Sequence, residues 1–128
     1  MGKETESKNL YKIKEDTQFG EVQIADDVIA IIAALSATEV EGVAGMSGNI
    51  TNEIISKLGM KNLSKGVKVK VSDNIVSVDL SLELKFGVSL PEVCENVQEK
   101  VKSSIELMTG LSVDEVNVRI AGIALDNE

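Results

Sequence analysis

Two runs of strict alternation constrain this chain more than any other feature of it. Val67, Val69 and Val71 alternate with Lys68 and Lys70, and Val76, Val78, Leu80, Leu82 and Leu84 alternate with Ser77, Asp79, Ser81 and Glu83. A period of two puts each apolar set on one face of a strand. Asp73 and Asn74 fall between the runs, and both residue types tolerate the positive φ that a two-residue hairpin turn demands. Pairing about that turn sets Val71 against Val76, Val69 against Val78 and Lys68 against Asp79. The valines then share one face, and an opposite-charge pair decorates the other. A slip of one residue would carry every valine into water, so the pattern admits one register. Outward lysines on the first strand also guard a sheet edge against pairing with other chains.

A one-faced hairpin needs a cover, and two helices are available. Asp26 and Asp27 stand where a helix begins, and their carboxylates complement its dipole. Val28, Ile29, Ile31, Ile32, Ala33, Ala34 and Leu35 follow, apolar nearly all round, so this helix over about 27–39 is buried on more than one side, in the fold or in an oligomer. The second helix starts after Ser89, with Pro91 in its first turn and Glu92 spaced for a capping box, and stops at Gly110. Val93, Cys94, Val97, Val101, Ile105 and Met108 mark its apolar face; Glu95, Glu99, Lys102 and Glu106 mark the other. A short strand over 20–25 precedes the first helix, and a last strand turns Val116, Val118 and Ile120 inward and Asn117, Arg119 and Ala121 outward.

The order strand, helix, strand, strand, helix, strand predicts an α+β fold. It would be a two-layer α/β sandwich with both helices on one face of the sheet, and the ferredoxin-like split βαβ is the natural topology. Residues 1–18 are polar and mixed in charge, which predicts a flexible tail ahead of a single domain over 19–125. A glycine-rich break at 41–48 leads into Ile50, Ile54, Ile55 and Leu58, which form one apolar stripe. That spacing predicts a short inserted helix stopping at Gly59.

Composition limits the chemistry. The chain of 128 residues has no histidine and one cysteine. That removes histidine-based nucleophile systems, and it leaves no zinc ligand set. Cys94 lies on an apolar helix face and reads as a structural thiol. Gly42, Gly45 and Gly48 match neither phosphate-loop spacing. The carboxylate pairs Asp26-Asp27 and Asp114-Glu115 are chain neighbours at element ends, where capping and turn roles account for them. The expectation is a protein that is not an enzyme, with no catalytic, metal-binding or cofactor-binding residue. A net charge of −8 and an aromatic content of 2% disfavour nucleic acid. No apolar run approaches the ~18 residues of a membrane span. The chain reads as cytoplasmic, without direct membrane insertion.

Two surface features remain. Lys57, Lys61, Lys65, Lys68 and Lys70 fall within fourteen residues that contain no acid. On an acidic chain this is a local positive patch, suited to an acidic protein partner, a lipid headgroup or a phosphate, and in the rival reading to an acyl or phosphate-bearing metabolite. The bland account is a solvated hairpin edge paired with Asp79 and Glu83. The stripe Ile50, Ile54, Ile55, Leu58 docks either on its own domain or in a partner's groove. Together these residues form the candidate partner surface.

Several blocks, in order, resemble a known family. Val22-Gln23-Ile24 leads into Val28-Ile29-Ala30-Ile31-Ile32-Ala33, and Val40-Glu41-Gly42-Val43-Ala44-Gly45-Met46 follows. Gly66-Val67-Lys68-Val69, Lys85-Phe86-Gly87-Val88-Ser89-Leu90-Pro91 and Met108-Thr109-Gly110-Leu111 through Val116-Asn117-Val118 come next. Over roughly 20–123 the chain resembles the alkaline-shock, or general-stress Gls, family of envelope stress proteins of Gram-positive bacteria. Gly59-Met60-Lys61-Asn62 and the Lys85 block make it similar to the short housekeeping branch. The resemblance implies a small cytoplasmic α/β protein without established enzymatic activity. Some members are tethered under the membrane by a separate anchor protein. The branch is often encoded beside acetyl-CoA carboxylase subunits, which implies a tie to fatty-acid synthesis. It implies protein partners, a membrane-anchored relative among them, and leaves a homo-oligomer open. No catalytic residues carry over.

Overall fold

The computed structural model describes residues 10–17, 19–46 and 66–125. The elements run β1 (Leu10–Thr17), β2 (Gly20–Ala25), α1 (Asp26–Thr38), β3 (Val43–Met46), β4 (Val67–Ser72), β5 (Ile75–Lys85), α2 (Leu90–Thr109) and β6 (Ser112–Ala124).

β5 is the axis of the main sheet. On one edge it pairs antiparallel with β4 and, further along, with β3; its whole length on the other edge pairs parallel with β6. The β4–β5 hairpin has the register the alternation demands: Val71 faces Val76, Val69 faces Val78 and Lys68 faces Asp79. Asp73 and Asn74 take φ values of 52° and 66°, as the tight turn requires. Parallel pairing of β5 with β6 needs a crossover, and α2 supplies it. Two bulges shift the β5–β6 register, one between Val76 and Ser77 and one between Leu82 and Glu83.

Both helices lie on the apolar face of the sheet. Val76, Val78, Leu80, Leu82 and Leu84 are fully buried there, against Ile29, Ala33 and Ala37 of α1 and Val97, Val101 and Ile105 of α2. Burial of a side chain of this size contributes roughly 1.5–3 kcal/mol. The alanines of α1 let the helices pack side by side over a narrow sheet. Gly42 has φ +101°, and a Cβ there would stand 2.7 Å from Val93 Cγ2, so this turn closes directly onto α2. That close approach accounts for the glycine. Gly110, at φ 78°, ends α2.

Several expectations need correction. The ferredoxin-like order is not the one found, because β2 does not enter the main sheet. It pairs with β1, which begins at Leu10 inside the segment read as a tail. Tyr11, Ile13 and Ile24 supply the apolar contacts that make this hairpin worth ordering, since all three pack against the core. Part of the glycine-rich break forms β3. Ile120 is 37% exposed rather than buried, because it lies beyond the part of β6 that the helices cover. Met108 is exposed, and Thr109 takes the buried place in the row Val93, Val97, Val101, Ile105, Thr109. The Thr109 hydroxyl donates to Ile105 O (2.7 Å) and accepts from Leu111 N (3.0 Å), so the polar group carries no burial penalty. Ser89 is the N-cap of α2 without a side-chain capping bond. The predicted inserted helix lies outside the described residues.

Candidate functional site

The face of the sheet turned away from α1 and α2 carries the polar half of each alternating strand. Rows of side chains cross it from strand to strand. Lys68 on β4, Asp79 on β5 and Asn117 on β6 form one row, because Asp79 is the register partner of both neighbours. Ser81 and Arg119 form the next, and Lys70, Ser77 and Glu115 the one on the other side.

Asp79 has a cation facing it on one side and an amide on the other. It takes the amide: Asn117 Nδ2 donates to Asp79 Oδ1 at 2.9 Å and to Glu115 Oε1 at 3.3 Å. The opposite-charge pair expected between Lys68 and Asp79 is therefore not formed. A short, stiff asparagine loses little rotamer freedom on bonding, whereas an exposed lysine gives up more entropy than a screened ion pair returns. In consequence Lys68, Lys70 and Arg119 have no ion-pair partner among the described residues.

A shallow groove of about 390 Å³ runs over this face, lined by Gly66, Lys68, Asp79, Ser81, Asn117 and Arg119. Ser81 lines it, partly buried, together with the cations Lys68 and Arg119. Of the lysine patch expected from the sequence, Lys68 and Lys70 stand on this face. Lys57, Lys61 and Lys65, and the stripe Ile50, Ile54, Ile55, Leu58, lie outside the described residues. Arg119 joins the two lysines from the far end of the chain. Its outward place on β6 follows from alternation, but its nearness to Lys68 requires knowing that β6 lies beside β5.

Elsewhere the ionisable groups have structural explanations. Glu106 accepts from Lys102 Nζ (2.8 Å) and from Val113 N (2.9 Å), and these bonds hold its carboxyl below the usual range. Cys94 is half-buried, and burial pushes its thiol upward, away from the thiolate a nucleophile needs. Among the described residues no group of three His, Cys, Asp or Glu is placed to hold a metal ion, and no helix is long and apolar enough to cross a membrane.

Residues 14–125 match the alkaline shock protein 23 family, which is described by a cell envelope-related function. The chain is 42% identical over 114 residues to the uncharacterized protein YqhY of Bacillus subtilis (strain 168), covering 89% of this chain and 84% of that one. The chain belongs to the alkaline shock protein 23 family. A second relative, the uncharacterized protein Spy1614 of Streptococcus pyogenes, is 40% identical over 91% of this chain and 98% of its own length. Among solved structures the chain is similar to a variant of the MamM CTD, at 11% identity and a TM-score of 0.48, over 76% of this chain and 94% of that one. The family resemblance read from the sequence blocks is thus the right one, and alkaline shock relatives occur in Gram-positive bacteria.

Proposed function

We propose that this alkaline shock family member is a non-catalytic binding protein that holds a protein partner against the open face of its sheet. One observation carries the reading: Lys68, Lys70 and Arg119 stand on the sheet face turned away from α1 and α2, without ion-pair partners among the described residues, on a chain of net charge −8. Asp79 and Glu115 share this face, but a cation with no ion pair of its own gains a counter-charge from an acidic group on a partner at little desolvation cost. The family description supports a setting in cell-envelope homeostasis. In this reading the protein works in the cytoplasm, reaches the membrane only through a partner and contributes no catalytic side chain. Lys57, Lys61 and Lys65 and the stripe Ile50, Ile54, Ile55, Leu58 are included among the residues proposed to contact the partner.

The test is affinity capture from the native cell with the intact chain and with the double variant Lys68→Glu, Lys70→Glu. A partner lost from the variant, with unchanged thermal stability, supports the reading. Retention of every partner overturns it.

The groove beside Ser81 favours a second reading, a regulator that binds an acyl or phosphate-bearing metabolite between Lys68 and Arg119. A ligand at a hundred times its Kd adds ~2.7 kcal/mol to stability, so a thermal-shift screen separates the two readings. No shift with such metabolites removes the second.

A further inference from the structure

The outer edge of β6 changes character half-way along. Near its start the edge is closed by one ridge of α2. Glu106 accepts from Val113 N, Lys102 Nζ donates to Val113 O (3.2 Å), and Gln98 Nε2 donates to Val116 O (2.9 Å). These three side chains recur every fourth residue, and α2 runs antiparallel to β6. Four residues of helix advance about 6 Å. Two residues of strand advance about 6.6 Å, so over two helical steps the ridge climbs the edge from Val113 N to Val116 O at nearly the strand's own pace. The next two ridge positions are Cys94 and Leu90, and continuing the same advance carries them toward Val118 and Ile120. Neither side chain closes a backbone edge as the glutamine and lysine do. The hydrogen-bonding cover stops where the ridge becomes apolar.

Beyond that point β6 pairs only with β5 among the described residues. Backbone groups recur on an edge every second residue, so those of Val118 and Ile120 follow Val116 into the open. The side chains there are apolar: Leu90, Cys94 and Val118 are half-buried at the border of the core, while Ile120 and Ile123 are 37% and 39% exposed. An unpaired strand edge beside an apolar helix flank is the geometry of strand addition, in which the main chain provides affinity and alternate side chains enter the groove.

Charge selects the occupant. Glu99, Asp114 and Glu115 line the shallow cavity at the Val116 end of this groove, with Glu95 one turn of α2 away, and Lys102 there is already bound to Glu106. Antiparallel addition of a second copy would set the C-terminal end of its β6, which continues in sequence as Leu125-Asp126-Asn127-Glu128, toward this acidic rim, on chains that each carry −8. A separate strand with basic residues at that end meets the rim favourably.

We propose that the β6 edge from Val118 to Ala124 docks an extended segment of another polypeptide. The segment adds antiparallel to β6, is apolar at alternate positions facing Leu90, Cys94, Ile120 and Ile123, and is basic at its C-terminal end. Glu115 borders both this edge and the lysine-bearing face, but the edge itself is a different surface and the proposal does not rest on the cations.

The probe is an amidated peptide alternating valine and threonine and ending in two lysines, titrated into the full chain by fluorescence anisotropy and amide hydrogen exchange. Binding is expected with new protection at Val118 and Ile120, and a version ending in two glutamates is expected to bind about tenfold or more weakly. Ile120→Asp places a charge in the groove and should weaken binding about tenfold or more. Cys94→Gln extends the hydrogen-bonding ridge by one step, closes the edge and should do the same even if Ile120→Asp disturbs folding. Lys68→Glu should leave binding unchanged. No binding, equal binding by both groove variants, or protection on β3 or β4 instead overturns the proposal. So does sedimentation as a dimer that Ile120→Asp dissociates, which would make a second copy the occupant. Slow exchange at Val118 and Ile120 in the peptide-free monomer would also overturn it, since the chain would then cover its own edge.

Discussion

Replacing Gly42 by alanine tests how tightly the turn after α1 is pressed onto α2. Gly42 sits at φ +101°, and an added methyl would lie 2.7 Å from Val93 Cγ2, 3.4 Å from Val93 Cγ1 and 3.5 Å from Val88 Cγ1. Two penalties add. An L-residue held at positive φ costs roughly 1–2 kcal/mol. Forcing a methyl into a packed site costs roughly 1–3 kcal/mol more, because Val93 is only 6% exposed and stands in the core. The stiffer unfolded chain returns roughly 0.4–1 kcal/mol. The expected net loss is about 2–4 kcal/mol, and for a chain of 128 residues roughly 10 °C in Tm. Urea denaturation of Gly42→Ala, Val93→Ala and the double variant separates the penalties. Val93→Ala removes the overlap but not the backbone strain, so the double variant should be more stable than additivity predicts by about 1–3 kcal/mol. A Gly42→Ala loss under about 0.5 kcal/mol, or a cycle that is additive within that margin, would refute the close approach as the reason for the glycine.

Other outcomes follow from the same physics. Thr109→Val leaves the buried Leu111 N–H without its acceptor and should cost about 1–3 kcal/mol by chemical denaturation, while Thr109→Ser, which keeps the hydroxyl, should cost less. Asn74→Val puts a β-branched residue at φ 66° and should destabilise by about 1–2 kcal/mol, with Asn74→Gly close to neutral. Ile105→Ala opens a cavity at a fully buried position and should cost about 2–5 kcal/mol. Glu106 has a folded-state pKa held below its unfolded value by Lys102 and Val113 N–H, so its contribution is present above about pH 4.3 and is lost as pH falls through the folded value. The stability difference between the native chain and Glu106→Gln should therefore shrink on acidification below about pH 4; a constant difference across that range would rule the linkage out.

Some of this architecture was legible before any coordinates. The turn at Asp73-Asn74, the pairing of Val69 with Val78 and the stop at Gly110 all depend on residues close in the chain, and local pattern determines them. The candidate site was legible only in part. Lys68 and Lys70 were recognised as outward and basic, but an ion pair with Asp79 was the natural expectation. Nothing in the alternation reveals that Asn117, on a strand far along the chain, competes for the same carboxylate and takes it. Ile120 shows the same limit: its parity points inward, yet whether a helix lies above it depends on where α2 crosses.

The sequence by itself determined α1, α2 and the strands β2, β4, β5 and β6, the register of the central hairpin, and the absence of imidazole chemistry from a chain without histidine. These follow from periods of two and of about 3.6 residues and from side-chain inventory, none of which needs a distant partner. Only the tertiary structure decided that β6 lies parallel beside β5, that β1 and β2 pair with each other, and that Lys68, Lys70 and Arg119 share one sheet face without ion-pair partners among the described residues. Strand order is settled by hydrogen bonds and packing between segments far apart in the chain, and those compete with one another only once the whole core has closed.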